Sequence, residues 1–182
     1  MKNCVRSWAL GMVKFALLSS VALVGPTFAQ NATSKDSSSK LVQDVRTATQ
    51  QFLNVNNATA AGYGPAFGCV SGSDHGAMGI HYVNATLVVD GDLNVSTPEA
   101  LIYEPVGNAR RLVGVEYIVD SATWLANHNN VPPSLDDQDF LFVPAPNRFN
   151  LNSFFELHVW AWRDNPQGAF VDWNNQVSCE HE

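Results

Sequence analysis

Residues 154–162 read FFELHVWAW, and how this stretch is read decides the fold. In a β-strand, successive side chains point to opposite faces. Phe155, Leu157, Val159 and Ala161 then form one apolar face, suited to a core. Phe154, Glu156, His158, Trp160 and Trp162 form the other. A solvent-facing surface rarely carries two tryptophans, and a dry core rarely carries a glutamate and a histidine side by side. The pattern predicts a strand whose second face is the wall of a half-buried pocket.

On the C-terminal side, DNPQG at 164–168 predicts a turn, and 169–173 predicts a segment that pairs back onto the strand. On the N-terminal side, 140–143 predicts a short edge strand ended by Pro144 and Pro146. Residues 127–139 are rich in Asn, Pro and Asp and read as a loop. Residues 121–126 read as one helical turn capped by Ser121. The longest regular strand is 111–119. Its alternation puts Val113, Val115, Tyr117 and Val119 on one face and Leu112, Gly114, Glu116 and Ile118 on the other. With 100–104 and the Gly107-Asn108 turn it predicts a hairpin. Residues 86–89 and 77–83 predict further strands, the second with Gly79, His81 and Val83 on one face. Residues 69–76 read as a glycine-rich loop with His75 exposed. Earlier still, Leu41, Val45, Ala48 and Phe52 recur at helical spacing and predict an amphipathic helix, stopped by Gly62 and Gly64-Pro65.

The first 29 residues carry the marks of an export signal: basic Lys2, Arg6 and Lys14, an apolar run over 15–24, and small residues before a cut after Ala29. Residues 30–40, QNATSKDSSSK, predict a flexible N-terminus. The expectation is therefore one domain over 41–182. It is α+β, an N-terminal amphipathic helix followed by a mainly antiparallel β-sheet or small open barrel, exported, with no membrane span once the signal is removed. Cys69 and Cys179 remain in the domain and predict one disulfide. The 182 residues carry 10 Lys and Arg against 17 Asp and Glu, a net charge of −7. The basic residues are scattered, so no stripe exists to neutralise phosphates, which excludes a nucleic-acid partner. Asn31, Asn57, Asn84 and Asn94 begin N-x-Ser/Thr triplets.

The ionisable residues on strand patterns are the ones that speak of function. His81 and Glu116 each lie mid-strand beside a glycine, and Glu156 and His158 lie beside tryptophans. Buried imidazoles and carboxylates need partners, and the simplest are each other. Two histidines with one or two carboxylates also make a first shell for zinc, manganese or iron. The sharp expectation is that His81, Glu116, Glu156 and His158 converge on a divalent metal or small ligand, with Glu104, Trp160 and Trp162 as pocket wall. The spacing matches no strong metal motif: HExxH, paired CxxC and His-x-His are all missing. The plain alternative is that Glu156 and His158 hydrogen-bond across the sheet to Arg111 or Arg163. Two further readings are a carbohydrate-acting enzyme using a carboxylate as general acid or base, and a non-catalytic interaction domain.

The segments GAMGIHYVN, PEALIYEP, LVGVEYIV and ELHVWAWRDNP, with FVDWN and VSC near the end, resemble a group of small exported bacterial proteins with no assigned activity. The resemblance runs from about Leu41 to Cys179. It implies a shared exported fold and carries no catalytic roles.

Overall fold

The computed structural model describes residues 39–182. The expected signal peptide and residues 30–38 of the N-terminal segment lie outside the described residues. Helix α1 spans Lys40–Thr49. Ser39 caps it, its hydroxyl accepting the Val42 N–H, so the domain starts two residues earlier than composition implied. The helix buries Leu41, Val42, Val45 and Thr49, which sit on one face at three- and four-residue steps. It does not run on through Phe52. The chain tightens into a 3-10 turn over Gln50–Leu53, and Asn54 then caps a new helix, α2, over Val55–Ala60. An asparagine side chain that accepts a nearby N–H favours a fresh start over continuation.

The remaining strands are β1 (Gly64–Gly72), β2 (Gly76–Val83), β3 (Ala100–Val106), β4 (Ala109–Asp120), β5 (Ser134–Leu135), β6 (Gln138–Asp139), β7 (Leu141–Val143) and β8 (Phe154–Val159). Helix α3 spans Ala85–Asp90 and α4 spans Ser121–Asn127. Six strands form one antiparallel sheet in the order β1-β2-β3-β4-β8-β7, and β5 and β6 pair separately. The sheet curls into a half-barrel. The last strand in sequence, β8, is thus interior, with β4 on one side and the short edge strand β7 on the other.

The two faces of the sheet bury different things. On one, the helices α1 and α2 lie over Leu101, Tyr103, Leu112, Val115, Tyr117, Phe155, Leu157 and Val159, which form the main core. Tyr103 donates its hydroxyl to the Phe52 carbonyl, and Tyr63 donates to the Pro98 carbonyl, so each buried phenol is satisfied. On the other face, Ala77, Ile102, Val113, Trp160 and Val177 form a second, smaller cluster. This face carries the ionisable residues.

Several expectations are corrected. Residues 86–89 are helical, because Asn84 caps α3 by accepting the Thr86 N–H and Gly91 ends it at φ 72°. The glycine-rich stretch at 69–76 is the β1–β2 hairpin, with β1 entirely missed, although His75 is exposed as expected. Helix α4 is capped by Asp120 rather than Ser121, the Asp120 carboxylate accepting the Thr123 N–H. Alternation along β4 breaks at Val113: Ile102 pairs with Gly114, but Tyr103 pairs with Leu112. The extra residue is a bulge, which turns Leu112 to the helix face and Val113 to the opposite one. Residues 169–173 form no strand; Ala169 only accepts the Trp160 N–H. A single bridge from Asn174 to Ala77 ties the segment down instead.

The Cys69–Cys179 disulfide joins β1 to the C-terminal tail across 110 residues, with Cα atoms 5.7 Å apart. No helix among the described residues is long and apolar enough to cross a membrane.

Candidate functional site

Strand register brings the ionisable residues together. Glu116 on β4 and His158 on β8 are direct cross-strand partners, and Glu156 pairs with Ile118 one step along the same face. Directly opposed side chains on one face have Cβ atoms roughly 5 Å apart. His81 arrives from β2, on the far side of β3. The residue of β3 opposite Glu116 is Ala100, whose side chain is too small to block the way, and His81 Nε2 reaches within 3.3 Å of Glu116 Oε2. The His81 and His158 rings stand perpendicular, with centroids 5.8 Å apart.

All four residues are buried: His81 4 %, Glu116 4 %, Glu156 4 % and His158 2 % exposed. A fifth donor joins them. Asp172 comes from the C-terminal segment, and its Oδ1 lies 3.7 Å from His158 Nδ1. The donors fall into two triads, His81–Glu116–His158 and Glu156–His158–Asp172, with the ligand atoms of each triad within 4.8 Å of one another. Asp172 lies outside any strand, so alternation gave no sign of it. The one signal in the sequence is an acid set among Phe170, Val171 and Trp173.

The electrostatics follow from burial. It pushes the His81 imidazole down to about 4, with the Gly79 backbone pulling upward and the Arg148 charge pushing further down. Burial likewise holds His158 well below the usual histidine range, and His81 adds to the effect. Glu116 is driven well above the carboxylate range by burial first and by the neighbouring Glu156 second. Burial lifts Glu156 to about 7, against a hydrogen bond from Glu116 that lowers it. Burial also raises Asp172. By itself the cluster therefore holds neutral imidazoles and a protonated Glu116 donating to Glu156. Its hydrogen bonding is incomplete. Neither ring nitrogen of His158 has a partner, nor does Asp172 Oδ1. Such buried polar atoms are uncommon, and each is costly.

Above His81 and Glu116 lies a narrow apolar cleft lined by Phe67, Val83, Ile118, Phe149, Leu151 and Phe154. Its free volume of ≈ 30 Å³ has room for a water or two. Phe149 lies edge-on to His81 at 6.5 Å and against Phe67 at 5.1 Å, so the mouth is roofed by aromatic rings.

The expected pocket wall is only partly there. Trp160 does flank the cluster, its ring near-parallel to that of His158 at 6.3 Å, but its indole N–H is committed to the Val171 carbonyl. Trp162 is on the wrong side. The strand ends at Val159, and a tight turn follows in which Ala161 N–H bonds to the Val159 carbonyl. Trp162 then packs on the helix core and donates to Thr49 Oγ1. The turn fits because Gly114 stands opposite: a Cβ there would come within 2.8 Å of the Val159 carbonyl oxygen. The space beside that glycine is thus filled by backbone rather than left open. Gly79 acts similarly, at φ 107° and with its would-be Cβ 2.8 Å from the Tyr103 carbonyl. Glu104 is elsewhere. It accepts the Ser178 N–H and pairs with Arg111, anchoring the tail near the disulfide. Arg163 donates to the Gln176 carbonyl rather than to the cluster.

One buried carboxyl that strand reading did not single out is Glu99, 1 % exposed. It accepts the Ile118 N–H and is raised to about 8 by burial.

Compared with protein-family models, with curated proteins and with solved structures, the chain matches none.

Proposed function

We propose that the protein binds a divalent transition metal in the His81–Glu116–His158 cluster, as an exported protein of the kind its segments resemble. The observation that carries this is the pair of unpartnered nitrogens on His158, in a ring 2 % exposed. An imidazole buried among carboxylates without a hydrogen bond is unfavourable in the empty protein and well placed as a ligand. Two imidazoles and a carboxylate suit zinc, manganese or iron. A bound cation reverses the local electrostatics, favouring deprotonated Glu116 and Glu156 where burial alone favours the proton. The aromatic roof leaves a narrow apolar approach for a small ligand. The Cys69–Cys179 disulfide agrees with an oxidising compartment.

The carbohydrate reading has less support. Catalytic carboxyl pairs of glycosidases stand about 5 Å apart or more, whereas Glu116 and Glu156 share a hydrogen bond. Neither Trp160 nor Trp162 presents an open face to a sugar. The test is elemental analysis of the purified chain together with melting curves in Zn²⁺ and in EDTA. A cation at 100 times its Kd stabilises by about 2.7 kcal/mol. No bound metal and no Zn²⁺-dependent shift would overturn the reading.

A further inference from the structure

We infer that the cluster takes two divalent cations, one on each triad, with the imidazole of His158 shared between them. The inference rests on the metal reading above and specifies its stoichiometry. His158 is the one residue common to both triads. Its Nδ1 faces Asp172 Oδ1 at 3.7 Å. Both ring nitrogens are buried and unbonded, and so is Asp172 Oδ1.

That no protein group bonds either nitrogen favours two ions over one. A histidine that ligates one metal nearly always donates its other ring N–H to a carboxylate, carbonyl or water, which fixes the ring. His158 has no such oxygen within hydrogen-bonding distance on either nitrogen. One cation would leave the second nitrogen without a protein partner; two would use both. Glu116, Glu156 and Asp172 place three carboxyl groups around the ring, one in the first triad and two in the second. With both ring nitrogens bound to metal the ring is an imidazolate, so loading the second ion releases the remaining ring proton of His158 to solvent. The first position, with His81 and Glu116, opens to the apolar cleft. The second, with Glu156 and Asp172, is closed in part by the C-terminal segment.

The experiment counts Zn²⁺ on the tag-free full chain by equilibrium dialysis and native mass spectrometry. Two ions per chain are expected, falling to one in Asp172→Asn, an isosteric change at a half-buried side chain. With Cu²⁺ in place of Zn²⁺, the fully loaded wild type should lose most of its mononuclear EPR signal through coupling across the shared ring. That arm needs no variant. One ion per chain in the wild type, with an uncoupled copper signal, overturns the shared arrangement and leaves the metal reading standing. No ion at all overturns both. Two ions retained at unchanged affinity in Asp172→Asn removes Asp172 from the ligand set and overturns the second position as built.

Discussion

Replacing His158 by leucine should make the metal-free protein more stable while abolishing its response to metal. The residue is 2 % exposed, and neither ring nitrogen has a partner. Each buried, unsatisfied polar atom costs about 1–3 kcal/mol. Leucine removes both atoms and nearly matches the volume, and repacking around it should cost less than about 1.5 kcal/mol. The net expectation in EDTA is a gain of about 1–3 kcal/mol. For a domain of this size that corresponds to roughly 4–10 °C in Tm. The assay is urea and thermal unfolding of wild type and His158→Leu, each in EDTA and in saturating Zn²⁺. The wild type should rise on adding Zn²⁺ and the variant should not, so the stability gap narrows or reverses between the two buffers. A variant destabilised by more than about 1 kcal/mol in EDTA would refute the reasoning. It would mean that the ring is held by structural interactions and that its burial is already compensated.

The cluster also sets opposite pH slopes with and without metal. Glu156 and Glu99 are raised to about 7 and about 8, so the stability they lend is present below pH 4.5 and lost as pH rises through those values. His81 is lowered to about 4, so its contribution is present above about 6.5 and lost as pH falls toward 4. Unfolding in EDTA should therefore show greatest stability at about pH 4.5, where the two carboxyls begin to lose more than His81 gains, and a decline toward pH 8, whereas Zn²⁺ affinity, measured by titration calorimetry, should climb from pH 6 to 8. A metal-free Tm that rises steadily from pH 6 to 8 would contradict this. Gly114→Ala should lower the urea midpoint by the equivalent of about 2 kcal/mol or more, since its Cβ meets backbone at 2.8 Å rather than a movable side chain; an unchanged midpoint would show that the turn at Trp160 relaxes freely.

How much of this was legible in the sequence depended on where strict alternation held. In 154–159 and 114–119 the ladder is regular, and Glu116, Glu156 and His158 fall on one face as period two requires. Alternation failed where the backbone departed from the ladder. The bulge at Val113 exchanged the faces of two residues, and the turn after Val159 carried Trp162 to the helices. Neither event leaves a mark on a pattern of apolar and polar letters. Gly114 was visible beside Glu116, but not its role, which is to admit the backbone at Val159. Residues 86–89, TLVV, are rich in β-branched side chains and read as a strand, yet the caps at Asn84 and Gly91 decide for a helix. Asp172 was out of reach because tertiary contact, not periodicity, places it.

The strand order has a consequence for the timing of assembly. β1 to β4 form a meander of neighbouring strands that can zip up sequentially, and they bring only His81 and Glu116. Glu156 and His158 come on the last strand, which must find an interior place beside β4, and Asp172 follows on a segment sealed by the final cysteine. Half-built, the protein offers one histidine and one carboxylate, too few donors to hold an ion against water. The cluster is complete only when the C-terminus has docked. Any metal therefore enters a finished chain, by way of the cleft, and does not serve as the nucleus on which the chain folds.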